Sequence, residues 1–271
     1  AALRQACSNY ELLNEMLTIP SVETLTQGVE LSEPLKLSAA RSAFLIQMQE
    51  NLHDFLLEII ANTAQESYEY TKVQVNERRV LSAVLQLLSY SQTPEMAAQL
   101  EKRFNSADNM TDKLTMLKAS QICSVELFEK LMLSFESEYL ENAVVMDKWF
   151  ALHATTKSND ILSKLTLLAS HRQFNLRNPN KVRSLVGSFA FYNTDGFHAV
   201  DGSGYQFLTD YLIELDPINP QIAARLVTPL IQYKKFAKSH QEMMVMQLKR
   251  LLNRANLSKD LYEKVSKSLT S

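Results

Sequence analysis

Glycine and proline are the residues that interrupt helices, and the chain holds only 5 and 7 of them in 271 residues, against about 12% for the pair on average. Few positions therefore break the i to i−4 hydrogen-bond ladder or need a left-handed backbone. Leu, Ala, Glu, Lys, Gln and Met fill much of the rest, and all of them favour helix. The fold class that follows is all-α. Four of the five glycines lie between Gly187 and Gly204, so one segment, about Asn178 to Leu212, carries nearly all the backbone freedom of the chain.

The apolar pattern supports helix after helix. Leu17 to Ser21 closes a first helix, and a loop through Gly28 leads to Pro34, which suits a first turn. From Leu35 to about Asn62, Phe44, Leu45, Met48, Leu52, Phe55, Leu56 and Ile59 step by three and four, as on one helix face. Three helix pairs are expected next: 76–90 with 94–104, 110–119 with 124–140, and 143–154 with 160–169. Their starts recur at a helical-repeat period of roughly 33 residues. A single closed core stops growing near ~250 to 300 residues. The expected architecture is therefore one domain over 1–271, a superhelical array of antiparallel helix pairs of the HEAT or armadillo-like solenoid kind. Further helices are expected over Tyr205 to Leu215, over Gln221 to Phe236 with a kink at Pro229, over Ser239 to Ala255, and from a Ser258 cap to Leu269.

Charge and motif searches mostly exclude. The net charge is −2, so no general field favours nucleic acid or anionic membrane, and Lys234, Lys235 and Lys238 read as the wet face of a helix. No apolar run is long enough to span a membrane. Cys7 and Cys123 are expected as reduced, buried residues of a cytoplasmic protein. The five histidines are scattered, with neither a His-Glu-x-x-His nor an i, i+4 pair, and there is no phosphate-binding glycine loop. His198, Asp201 and Ser203 are close in sequence but do not form a nucleophile elbow. They read as a turn and cap delivering the chain into the next helix, with His198 packed beneath it. Trp149, Met243, Met244 and Met246 read as core.

Five strings carry a resemblance: DNMTD at 108–112, VMDKWF at 145–150, NPNKVRSL at 178–185, FHAVDGSGY at 197–205 and LYEK at 261–264, with LTIPS at 17–21 in the same order. Together they resemble the C-terminal helical domain of bacterial aminopeptidase N, in the M1 family of zinc metallopeptidases. The resemblance covers essentially the whole chain. It implies a parent alanyl aminopeptidase whose zinc motif, substrate-amine site and catalytic tyrosine lie in a separate catalytic domain. This chain would then hold no zinc and no catalytic residue, and would be inactive alone. Its implied partners are the remaining domains of the parent and small peptide substrates. In that family the domain caps the catalytic domain and lines the route to the zinc, and it sends arginines towards that route. Arg183 and Arg225 match the pattern, and His198 and Asp201 stand close enough in sequence to shape the same face. The fixed charges would attract the carboxylate end of a peptide whose amine is held at the metal. The alternative is a stand-alone helical-repeat scaffold for protein–protein interaction.

Overall fold

The computed structural model describes residues 2–7, 9–63 and 68–270. Among them there is no strand, only one isolated β-bridge between Ser32 and Phe236. The chain divides into two compact units, Ala1–Pro20 with Arg41–Glu138 and Ser21–Ala40 with Tyr139–Ser271. No described helix is long and apolar enough to cross a membrane.

The first unit packs helix Lys72–Leu88 against Tyr10–Leu17 and Met110–Cys123, with Pro94–Ser106 also on Met110–Cys123. Leu13, Leu56, Val84, Leu100, Leu117 and Phe135 are its sealed interior. Helix Pro34–Asn62 matches the expected amphipathic stretch, and its residues from Arg41 onward belong to this unit. Each start has a side-chain cap where the sequence offers one. Asn9, Thr71, Thr93, Asn109 and Ser124 each accept the backbone N–H of the third residue of the next helix. Such caps satisfy donors that no helical carbonyl can reach and are worth about 1 kcal/mol each. The first expected pair starts earlier than its apolar pattern indicates, at Lys72, because Thr71 caps it.

In the second unit, helix Ser203–Leu215 packs on Lys238–Leu252, and Lys259–Thr270 packs on both Lys238–Leu252 and Pro220–Leu226. Asn219 caps Pro220–Leu226 through the N–H of Ile222, and Ser258 caps the last helix through the N–H of Leu261. The stretch expected as one kinked helix over Gln221 to Phe236 is instead broken into Pro220–Leu226, Thr228–Ile231 and a 3-10 turn Tyr233–Lys235. Pro229 is the cause: it has no N–H for the carbonyl of Arg225, four residues earlier. The Thr228 hydroxyl donates to that carbonyl instead, at 2.7 Å. Beyond the break, Ser32 N–H donates to Lys235 O at 2.7 Å and Ala237 N–H to Ser32 O at 2.9 Å, so the exit segment is held by the loop before Pro34.

The cysteine expectation holds for Cys123, which is buried, and fails for Cys7, which is exposed; both are free. Cys7 follows a five-residue helix, Ala2–Ala6, too short to cover it. Trp149 and Met244 are core as expected and Met243 is half-buried, whereas Met246 is 59% exposed, because residues two apart on helix Lys238–Leu252 are turned by about 200° and face opposite sides. Lys234, Lys235 and Lys238 are exposed.

Candidate functional site

The segment from Asn178 builds its unusual backbone residue by residue. Asn178 accepts the Asn180 N–H at 3.0 Å and Pro179 occupies the first turn, so a helix starts here. It widens at once into a π turn over Arg183–Gly187 before resuming as Ser188–Tyr192. Single π turns of this kind are rare and concentrate at functional sites. Gly187 ends it against helix Pro220–Leu226: a Cβ there would stand 3.3 Å from Leu226 Cδ2. The turn that begins with Arg183 is therefore packed beside the helix that carries Arg225, and both arginines are exposed. Arg183 Nε donates to the Pro179 carbonyl and one terminal nitrogen to Asn180 Oδ1, both at 3.2 Å. Neither arginine forms an ion pair among the described residues.

Lys181, two residues before Arg183, is buried. Its ammonium meets Asp147 Oδ1 at 2.8 Å and donates to the Ala143 carbonyl at 2.6 Å. The helix has turned this one position inward onto Ala143–Ala154, where a carboxylate and a helix-start carbonyl are waiting for a cation.

The other three glycines are steric requirements. A Cβ on Gly204 would lie 2.4 Å from the Phe197 carbonyl oxygen and 2.5 Å from that of Gly196, both fixed backbone atoms. Helix Ser203–Leu215 thus rests directly on the turn Thr194–Phe197. Gly202 has φ +72°, the left-handed conformation that delivers the chain into that helix. Gly196 has the Phe189 ring 2.9 Å from its virtual Cβ.

This close packing creates a buried polar chain. His198 Nδ1 is 2.7 Å from the Tyr205 hydroxyl, which is 2.8 Å from His240 Nδ1. The hydroxyl has one proton, so with neutral rings it donates to one Nδ1 and accepts from an Nδ1–H on the other: the two histidines hold opposite tautomers. Burial pushes His198 down to about 3, aided by the His240 charge. Burial also lowers His240, against an opposing pull from Glu33, and raises the Tyr205 hydroxyl. His198 in addition lines a cavity of about 220 Å3 with Phe191, Tyr192, Phe197, Phe236 and Glu23. Glu23 is held there by the Thr194 hydroxyl at 2.8 Å.

Asp201, by contrast, is exposed and accepts the Ser203 N–H at 3.0 Å; hydrogen bonding from the Ser203 hydroxyl first, and then from that N–H, lowers its pKa. His198 and Asp201 are thus given to different partners, and Ser203 is a helix-start residue bonded to an exposed carboxylate, with His198 taken by Tyr205. Tyr205 and His240 are the residues that sequence reasoning missed. They lie 35 positions apart on different helices, and no spacing rule links them.

Comparison with known proteins adds the context. A family model described as a domain of unknown function, DUF3458_C, with ARM repeats, matches residues 1–270. The chain is 39% identical over 261 residues to aminopeptidase N of Haemophilus influenzae, covering 96% of this chain and 30% of that protein. It is 37% identical over 258 residues to aminopeptidase N of Escherichia coli, covering 95% and 30%. A crystal structure of Legionella pneumophila aminopeptidase A in complex with aspartic acid superposes with a TM-score of 0.87 at 28% identity, over 99% of this chain and 33% of that one. The chain spans about a third of the length of these relatives.

Proposed function

The chain belongs to the DUF3458_C family of ARM-repeat domains and corresponds to the C-terminal domain of aminopeptidase N, and from that premise we propose that it lines and restricts the substrate route of an aminopeptidase acting on small peptides. In this reading Arg183 and Arg225 attract the carboxylate end of a peptide whose amine is held elsewhere in the parent. The observation that carries it is the Gly187–Leu226 contact, which seats the π turn of Arg183 against the helix of Arg225 while both guanidiniums stay exposed. Two cations on elements in contact recognise a carboxylate better than one, and arginine presents the flat paired donors that a carboxylate matches.

His198 and Asp201 take supporting parts. His198, locked to Tyr205, holds the turn Thr194–Phe197 in place beneath the segment, and Asp201 fixes the start of Ser203–Leu215. The chemistry of hydrolysis belongs outside this chain. In this reading the zinc is held by another domain of the parent; among the described residues no group of three or more His, Cys, Asp or Glu side chains is placed to hold a metal ion.

Photo-crosslinking tests the reading. A short peptide carrying a photoreactive residue at its carboxyl end, irradiated with the protein that contains this domain, should label the segments around 183–187 and 225–226. Labelling confined to other parts of the protein would reject the route.

A further inference from the structure

A second cationic feature lies in the other unit, remote in sequence from Arg183 and Arg225. A groove of about 370 Å3 is lined by Leu17, Leu45, Leu87 and Ile122 together with Arg41 and Arg79. Its lining includes no Asp or Glu, although acids outnumber bases 30 to 28 in the whole chain. Arg41 is held in place by carbonyls: its Nε donates to Pro20 O at 2.7 Å and a terminal nitrogen to Ile19 O at 3.3 Å. Carbonyl oxygens fix the plane of a guanidinium without cancelling its charge, so the remaining edge stays available to an anion. Arg79 is exposed on helix Lys72–Leu88, and neither arginine has an ionic partner among the described residues. Ser82 and Gln86, bonded to each other at 3.0 Å, add neutral polar groups to the same lining.

We propose that this groove binds a small amphiphilic carboxylate, a compact apolar group bearing one carboxylate, as in a branched-chain N-acylamino acid or the carboxyl-terminal residue of a short peptide. The two arginines supply the paired donors for the carboxylate. Ile122, half-buried in the lining, and the rims of the otherwise buried leucines would gain from covering an apolar side chain, which a phosphate or sulfate cannot offer. The volume lies within the ~300 to 1,000 Å3 typical of small-molecule sites. The groove shares no residue with the proposed peptide route, so either can fail without the other.

Calorimetric titration of N-acetyl-leucine into the protein that carries this domain tests the inference, with an amine-blocked ligand used so that an aminopeptidase site has no amine to hold. N-acetyl-leucinamide and inorganic phosphate are the comparison ligands, and Arg79→Ala and Ala83→Phe are the variants. Arg79 is exposed, so its removal leaves the fold intact; Ala83 is half-buried in the lining, and phenylalanine there fills the groove. N-acetyl-leucine should bind, about tenfold more weakly in Arg79→Ala, not at all in Ala83→Phe, and more weakly as salt is raised. The amide should bind at least about tenfold more weakly than the acid, since it lacks the charge that the guanidiniums meet. The inference is overturned by no binding of the acid, by equal binding of acid and amide, or by unchanged binding in either variant. Tighter binding of phosphate than of N-acetyl-leucine overturns it too, by making the groove a plain anion site.

Discussion

Replacing Tyr205 with phenylalanine removes one oxygen from a fully buried position and leaves two histidines facing a gap. Two hydrogen bonds, at 2.7 and 2.8 Å, disappear. A neutral bond contributes about 1 kcal/mol net, and a buried polar group stripped of its partner costs about 1–3 kcal/mol. The expected loss is therefore about 2–4 kcal/mol, with no change in packing volume to offset it. Urea unfolding followed by Trp149 fluorescence reads the effect, because Trp149 is the sole tryptophan, is buried, and lies in the same unit. The same assay run against pH separates hydrogen bonding from burial. His198 is held near about 3 in the fold, against 6.5 as a free group. As pH falls the unfolded chain binds that proton first, so the stability tied to neutral His198 is complete above pH 6.5 and is lost on descending towards pH 3. At about 1.4 kcal/mol per pH unit, His198 alone removes about 2 kcal/mol between pH 6.5 and pH 5. His153, lowered to about 4 by burial, adds to the same slope. Because burial sets the His198 shift, Tyr205→Phe should lower the whole curve without changing its slope. His198→Asn, which keeps an amide near the Nδ1 position, should reduce the slope by about one proton. A Tyr205→Phe protein within about 0.5 kcal/mol of the parent, or a His198→Asn protein with an unchanged slope, would refute the reasoning.

Three further outcomes follow from the geometry. Gly204→Ala forces a methyl to within 2.4 Å of a backbone oxygen and should cost at least about 3 kcal/mol in the same assay. Gly28→Ala, whose Cβ would meet only the Leu25 carbonyl at 3.7 Å, should be neutral or stabilising by up to about 1 kcal/mol on a thermal melt. Lys181→Met strands Asp147 and should destabilise by about 2–4 kcal/mol, with Asp147→Leu in the same chain recovering most of it, since a buried ion pair is costly to break but replaceable as a unit.

The helices were legible because their signals are local: apolar residues at three and four, and caps such as Asn219–Pro220 and Ser258 read directly from neighbouring residues. The glycine cluster was legible as an anomaly. Its meaning was not, since the atoms that forbid a side chain on Gly204 belong to Gly196 and Phe197, which only the tertiary fold brings within contact. Lys181 shows the same limit. Between Arg177 and Arg183 it reads as one more solvated cation, yet a single turn of helix carries it inward to Asp147. Pro229 was recognised as a disturbance, but whether a proline kinks or breaks a helix depends on what else can serve the orphaned carbonyl. Here the Thr228 hydroxyl serves it, and the helix ends. Arg183 and Arg225 came from the family resemblance, and what the structure adds is the contact between their two elements.

The proposed role of those two arginines is met most directly by a pair of Michaelis constants in the protein that carries this domain, measured for one short peptide with a free carboxylate and for its carboxamide. At about 10 Å and an effective dielectric near 20, one charge pair is worth up to about 1.7 kcal/mol, and less for exposed groups. Replacing both Arg183 and Arg225 with alanine should therefore raise KM for the acid about tenfold while leaving KM for the amide within about twofold. An equal change for acid and amide, or no change for either, would contradict the account.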